Sequence, residues 1–273
     1  MKIVLNARPI EVDYGETPAS LKKRFCPDAD TAVVNGYPAA WDLILQELDE
    51  VVLFRKGRLP KRDELEYLMA ARHTPHVHRM LKEGAVAIAG CGGLGSNIAV
   101  ALARSGVGKL LLIDFDIVEP TNLNRQHYFI EHLGRYKVDA LKEQIGRINP
   151  FIEVKTRNIR LDEQNIPTIL AGYPIVAEAL DHPESKAMLV GAILEKLPGV
   201  KVVSGSGMAG LYDANLIRTS HPLENLYVCG DGVSEARPGD GLMSPRVMVC
   251  AGHQANMILR LLCKEEPSAA EKR

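Results

Sequence analysis

The hexapeptide Gly90-Cys91-Gly92-Gly93-Leu94-Gly95 carries the sharpest chemical signal in this chain. It spells G-x-G-x-x-G directly after the apolar run Val86-Ala87-Ile88-Ala89. Ahead of it lies Ser96 to Ser105, with Ile98, Leu102 and Ser105 at helical spacing and Gly106 and Gly108 closing the helix. Glycines between a strand and a helix let the backbone turn tightly and approach a phosphate, and the helix N-terminus favours the phosphate's negative charge. Asp114 ends the next apolar strand, Leu110 to Ile113, 19 residues after Gly95, where a carboxylate can take a ribose hydroxyl. Together these residues imply nucleotide binding.

The fingerprint alone does not separate a dinucleotide from ATP. The segment that follows does: Asp114, Asp116, Asn122 and Arg125 in DFDIVEPTNLNRQ, then Lys137. A hydride-transfer enzyme has no use for an Asn, an Arg and a Lys converging just past the ribose carboxylate. An enzyme attacking the α-phosphate of ATP does, because charge builds on the phosphoryl oxygens and pyrophosphate must leave. Singly, Arg125 and Lys137 would read as solvated surface charges; beside the glycine loop they read as phosphate ligands.

These residues need a scaffold, and the pattern from Ala85 onward supplies one. Tyr136 to Ile148 carries Val138, Leu141, Ile145 and Ile148 at helical spacing. Ile152 to Thr156, Ile175 to Ala177 and Val200 to Ser204 read as short strands. Pro183 to Leu197 reads as a helix with proline in its first turn, and Arg246 to Leu262 as a final helix. Strands alternating with helices predict an α/β fold, a Rossmann-like, mostly parallel sheet flanked by helices over residues 85–265. Residues 1–59 form a separate small unit. Lys2 to Asn6 turns into Ile10 to Val12 as a hairpin, Thr17 or Ser20 starts a helix ended by Pro27, and Ala32 to Val34 and Val51 to Phe54 complete a ββαββ order. That order predicts a ubiquitin-like β-grasp domain ahead of the larger one. Residues 60–84 read as a helical linker broken at His73-Thr74-Pro75-His76, with His73, His76 and His78 in a solvated loop. Residues 266–273 read as a disordered tail.

Composition is that of an ordinary globular protein, 46% hydrophobic and 25% charged, with a formal net charge of −1. Bulk electrostatics therefore favour neither nucleic acid nor an anionic membrane as partner. Neither a signal peptide nor an apolar run long enough to span a bilayer is present, which predicts a cytoplasmic protein. Five cysteines, scattered and never spaced as C-x-x-C, fit a reducing compartment.

The stretch from Ala85 to Gln126, with GCGGLGSN and LLLIDFDIVEPTNLNRQ, and Lys137 beyond it, resembles the ThiF/MoeB branch of the ubiquitin-activating-enzyme superfamily. The resemblance continues through Ile148-Asn149-Pro150 to scattered matches at Gly241-Leu242-Met243-Ser244-Pro245. It implies an ATP-dependent adenylyltransferase acting on the C-terminal carboxylate of a small sulfur-carrier protein. Asp114 would hold the ribose, Asn122, Arg125 and Lys137 the phosphates, and Asp181 a Mg²⁺ ion. Asp181 also reads as an N-cap ahead of Pro183. The family's arginine from before the glycine loop, which reaches into the neighbouring subunit of a homodimer, is matched by Arg72, with Arg79 the alternative. Many family members hold zinc with two C-x-x-C pairs; here the first is reduced to Cys229-Gly230-Asp231 and the second is missing, which argues against zinc. No cysteine lies in Val233 to Asp240, where several members place a sulfur-transfer thiol. Cys229 reads as a buried, inert thiol, and Ser204 to Gly210 as either a path for a flexible Gly-Gly tail or a turn.

The first 59 residues resemble ThiS, the sulfur carrier of thiazole synthesis, through Met1 to Asn6, Gly15-Glu16-Thr17, Val33 to Gly36, Trp41 and Val51 to Phe54. A carrier ends in a free Gly-Gly carboxylate, whereas this unit continues through Lys56-Gly57-Arg58-Leu59-Pro60. It cannot be a substrate as encoded, though it tilts the expected partner toward a free ThiS-like protein. Two rival readings stand beside adenylation. An NAD-dependent oxidoreductase would leave Arg125, Lys137 and Asp181 idle, and a non-catalytic ATP-binding scaffold would bind ATP without pyrophosphate exchange.

Overall fold

The computed structural model describes residues 1–58, 60, 62–71, 73 and 75–265. The chain divides into two compact units, Met1–Met80 and Leu81–Arg273.

The first unit holds β1 (Lys2–Leu5), β2 (Arg8–Glu11), α1 (Pro18–Phe25), β3 (Thr31–Val34), β4 (Tyr37–Pro38), β5 (Glu50–Phe54) and α2 (Arg62–Ala70), and most of α3 (Pro75–Glu83). Its sheet runs β2-β1-β5-β3-β4, with β1 and β5 parallel at the centre and every other pair antiparallel. Thr17 caps α1 by accepting the Ser20 backbone N–H, so the helix starts where the sequence placed it. Ile3, Leu5, Leu21, Val51 and Leu53 form the core between that helix and the sheet. This is the expected β-grasp arrangement. Beyond it, Tyr67 of α2 donates weakly to Glu50 Oε2 at 3.5 Å, and burial, then Glu50, push its phenol up to about 12. His76 and His78 lie on α3 and His73 is half-buried, its imidazole pushed down by burial. The solvated loop expected for the three histidines is thus replaced by a helix opening at Pro75.

The second unit begins with β6 (Ala85–Ala89), α4 (Gly93–Arg104), β7 (Lys109–Ile113), α5 (Lys137–Ile148) and β8 (Glu153–Arg157). It continues through α6 (Ile166–Ile169), β9 (Ile175–Glu178), α7 (Pro183–Lys196), β10 (Lys201–Gly205), β11 (Arg218–Leu223), β12 (Leu226–Gly230) and α8 (Ser244–Leu262). The seven strands order as β11-β12-β10-β9-β6-β7-β8, all parallel except β11. Val86, Ala87, Ile88 and Ala89 are inaccessible to solvent because helices cover both faces of the sheet. Each fully buried side chain the size of Ile88 stabilises the fold by about 1.5–3 kcal/mol. From β6 the chain winds outward to β7 and β8, then crosses back to β9 on the other side of β6. The order therefore reverses between β6 and β9, and ligands of open α/β sheets bind at the carboxyl ends of the strands flanking such a reversal. The β11–β12 hairpin was not anticipated from the sequence. Among the described residues, no helix is long and apolar enough to cross a membrane.

Candidate functional site

The glycine loop sits at that reversal, and its glycines serve different purposes. Gly90 has φ +94°, and a Cβ there would lie 2.5 Å from the Ala179 carbonyl oxygen, so the loops after β6 and β9 touch backbone to backbone. A Cβ on Gly95 would fall 1.8 Å from the Gly90 carbonyl oxygen, closing the turn against α4. Gly93 packs against Val247 of α8 and lies 3.7 Å, measured from an added Cβ, from Cγ of Arg125. Gly92 differs from the rest. It is the N-cap of α4 with no side-chain cap, and a Cβ there would meet only the Gln126 amide nitrogen, at 3.8 Å. The free N–H groups of the first turn of α4 and the open side of Gly92 form a cradle for an anion.

Asp114, just past β7, borders this cradle. Its Oδ2 accepts the Cys91 backbone N–H at 2.6 Å and its Oδ1 the Asp116 backbone N–H at 2.8 Å. Burial raises its carboxyl above the usual aspartate value, opposed by the two N–H donors and the nearby Lys137 ammonium. Lys137 is the first residue of α5 and is buried; its Nζ donates to Asp116 Oδ2 at 2.8 Å, while its backbone N–H donates to the Asp116 carbonyl. Burying an ammonium requires such a partner, and Asp116 supplies it from a half-exposed position that leaves the pair one face to solvent. Asn122 is also buried, in a short 3₁₀ turn where its Oδ1 accepts the Glu119 N–H at 3.0 Å. Arg125 follows, its Nη1 donating to the Thr121 carbonyl and to Asn124 Oδ1. Asn97 of α4 ties this segment to the glycine loop by donating to the carbonyls of Gly93 and Arg125.

Asp181 lies in the loop between β9 and α7 with its side chain 89% exposed, 3.8 Å from His182. The N-cap of α7 is His182, without a side-chain hydrogen bond, so the capping role open to Asp181 in the sequence is not taken. Arg72 lies outside the described residues. Its alternative, Arg79, is an exposed residue of α3 paired with Glu50 at 3.6 Å. Thus Gly90, Gly92, Gly93, Gly95, Asp114, Asp116, Asn122, Arg125 and Lys137 border one loop system, while Asp181 approaches from the neighbouring strand end.

Three residues to which the sequence reading assigned no role, Gln126, Glu178 and Lys186, belong to the same neighbourhood. Gln126 is buried beside Gly92, and its Oε1 has no hydrogen-bond partner among the described residues. Glu178, the last residue of β9, is fully buried and paired with Lys186. An acid closing an otherwise apolar strand (IVAE) was the available signal, since such a group needs a partner. The segment Ser204 to Gly210, left open between channel and turn, is laced to the loop after β12. Gly232 N–H donates to the Ser206 carbonyl, Asp231 N–H to Gly207, and Gly210 N–H to Gly241. Behind it, Arg246 donates to Asp231 Oδ2 at 2.5 Å in a buried pair. Burial alone would raise the Asp231 carboxyl, but the N–H groups of Ser234 and Val233, the Ser234 hydroxyl and Arg246 outweigh it and bring it to about 2. Cys229 is buried as expected, as are Cys91 and Cys250, the last pushed up to about 12 by burial and by Cys229.

Comparison with known proteins gives this geometry a family context. The sequence profile of the ThiF family matches residues 68–273, and that of ThiS-like ubiquitin matches residues 1–57. The adenylyltransferase and sulfurtransferase MOCS3 of Culex quinquefasciatus is 33% identical over 229 residues, covering 69% of this chain and 52% of that protein. The molybdopterin-synthase adenylyltransferase of Salmonella typhimurium is 30% identical over 205 residues, covering 70% of this chain and 78% of that protein. The chain thus spans about half the length of the MOCS3 relatives it matches. Among solved structures, E. coli tRNA N6-threonylcarbamoyladenosine dehydratase in complex with ATP superposes with a TM-score of 0.67 at 20% identity, over 76% of this chain and 98% of that one. At that identity the likeness is one of fold.

Proposed function

The chain belongs to the ThiF family, and on that premise we propose that it uses ATP and Mg²⁺ to adenylate the C-terminal carboxylate of a ThiS-like sulfur-carrier protein, releasing pyrophosphate. The observation that carries this reading is the cradle at the reversal of the sheet. There the uncapped N-terminus of α4, the buried Lys137 with its partner Asp116, Arg125 and Asp114 border a glycine whose open side meets the Gln126 amide nitrogen at 3.8 Å and nothing closer. An anionic nucleotide fits that donor set, and the orphaned Gln126 amide oxygen is a further polar group that a ligand would satisfy.

In this reading Asp114 accepts the ribose hydroxyls while its own charge is held by the Cys91 and Asp116 N–H groups. The N–H groups of α4 and the guanidinium of Arg125 take the phosphates, and Lys137 offsets the charge that builds as the α-phosphate is attacked. A carboxylate oxygen of the carrier forms the new P–O bond. The bond between the α-phosphorus and the bridging oxygen breaks, and pyrophosphate leaves with the electron pair. No general base is needed, because the attacking carboxylate is already ionised at neutral pH. Among the described residues no three His, Cys, Asp or Glu side chains group as a metal site. A lone exposed carboxylate such as Asp181 suits Mg²⁺, which keeps most of its water and phosphate ligands. When bound, the ion neutralises phosphate charge.

The ThiS-like unit favours a ThiS-type carrier and thiazole synthesis for thiamine, whereas the relatives named for molybdopterin synthase favour a carrier of that pathway. A homodimer in the cytoplasm, with an arginine before the glycine loop reaching the partner's site, completes the reading, and sedimentation tests its oligomeric part. The deciding experiment is ATP–pyrophosphate exchange with Mg²⁺, with and without carriers of both kinds ending in Gly-Gly. Exchange dependent on one carrier establishes both the reaction and its partner. ATP binding with no exchange on either would reverse the reading in favour of a non-catalytic scaffold, and NADH binding in favour of an oxidoreductase.

A further inference from the structure

The loop that carries Asp181 is held by a buried network that nucleotide binding by itself does not call for. Glu178 Oε1 accepts the Leu180 backbone N–H at 2.7 Å, and Oε2 accepts both Lys186 Nζ at 2.8 Å and Ser204 Oγ at 2.5 Å. Lys186 Nζ donates a second time, to the Gly205 carbonyl at 2.6 Å. The Glu178 carbonyl receives the Gln254 amide of α8 at 3.0 Å. The carboxylate is thereby satisfied at both oxygens although no solvent reaches it.

The placement of the two partners is what gives the network a function. Glu178 is the residue before the loop 179–182, and Lys186 lies on α7 just after it. Their ion pair joins the two ends of that loop. Inside it, Ala179 N–H donates to the Ala89 carbonyl, and the Ala179 carbonyl abuts Gly90. The start of the loop is therefore fixed against the glycine loop at Ala179, two residues before Asp181, whose carboxylate projects into solvent. A pair needed only to fill the core would not have to span this loop.

We infer that Glu178 and Lys186 are positioning residues that set the Asp181 carboxylate at the distance from the glycine loop required by a phosphate-bound divalent cation. The inference rests on the adenylating reading and deepens it: the pair touches neither nucleotide nor metal and acts through the loop it closes. Partners that orient a metal ligand from outside typically change metal affinity by about 10–100-fold when removed. Asp181 is one ligand among phosphates and waters, so the low end of that range applies.

The test measures ATP affinity by calorimetry, with Mg²⁺ and with a chelator, alongside melting temperature and amide exchange over residues 179–182. Lys186→Met should lose about 10-fold of the affinity gained from Mg²⁺, keep its affinity for metal-free ATP, and speed exchange in the loop. Lys186→Arg should restore the gain. Because Lys186→Met leaves a buried carboxylate unpaired, the double variant Glu178→Gln with Lys186→Met serves as the folded control. It should recover the melting temperature but not the Mg²⁺ gain. A double variant with full Mg²⁺ gain and native loop protection would reduce the pair to a packing role and overturn the inference. A wild-type protein whose ATP affinity ignores Mg²⁺ would overturn the adenylating reading itself, and this inference with it.

Discussion

Two glycines of one loop make opposite predictions when each is replaced by alanine. A Cβ on Gly95 falls 1.8 Å from the Gly90 carbonyl oxygen, so backbone must move. Overpacking of flexible side chains already costs about 1–3 kcal/mol, and rigid backbone yields less readily. Gly95→Ala should therefore lower the melting temperature by at least about 4 °C, at roughly 2–4 °C per kcal/mol for a unit of this size. A Cβ on Gly92 meets one atom at an ordinary 3.8 Å, so no backbone has to move to admit it. The loss of a favourable N-cap costs about 0.5–1 kcal/mol. Gly92→Ala should melt within about 4 °C of the parent. Its methyl group, however, projects where a phosphate must approach the N-terminus of α4. Losing one charge-assisted hydrogen bond there is worth about 1.5–3 kcal/mol, or roughly 10–150-fold in Kd for ATP. Scanning fluorimetry and calorimetry on the two variants separate the effects. A Gly92→Ala protein that binds ATP as tightly as the parent would refute the assignment of the open side of the loop to the ligand.

The other predictions concern charge. ATP affinity should fall on acidification from a pH above the ordinary aspartate range, because burial raises the Asp114 carboxyl and only its ionised form accepts two ribose hydroxyls; Asp114→Asn should bind weakly with that pH dependence gone. For folding the sign is opposite: the contribution of Asp114 is present below the unfolded value of 3.8 and is lost as pH rises through the raised one, as chemical denaturation of the parent and Asp114→Asn would reveal. Asp231 behaves in reverse, stabilising the fold above 3.8 and losing that contribution as pH falls toward about 2; Asp231→Asn at neutral pH should cost about 3–5 kcal/mol by stranding the buried Arg246, measurable by urea denaturation. Arg125→Ala and Asp181→Ala, both at positions with solvent access, should abolish carrier-dependent pyrophosphate exchange and keep the parent's melting temperature. Near-full exchange in either would remove that residue from the site.

The sequence by itself determined the parts of this protein that are written in local spacing. The strand–glycine–helix order at Val86 to Ser105 and the acid closing the next strand follow from covalent neighbours and from a hydrophobic period set by backbone geometry. So do the β-grasp order of the first unit and the cap at Thr17. Arg125 and Lys137 stood out as cations close in sequence to the glycine loop, and the structure places Arg125 beside Gly93 and Lys137 near Asp114. Tertiary structure decided what depends on residues far apart in the chain. The β11–β12 hairpin reads poorly because the edge strand β11 (RTSHPL) carries little apolar signal; β10, pairing with β12, and His253 of α8, meeting Thr219, fix it in place. Ser204 to Gly210 carries no local signal for its hydrogen-bond partners, which the loop after β12 supplies. Asp181, read first as a metal ligand, also fitted a helix cap because capping is a local pattern, but the loop geometry gives that position to His182. Glu178 and Lys186 were invisible as a pair because nothing in sequence marks a half-buried lysine as the partner of a buried carboxylate eight positions away. Their union exists only once two parallel strands and α7 have excluded water from the space between them, since it is the loss of solvent that makes the partnership necessary.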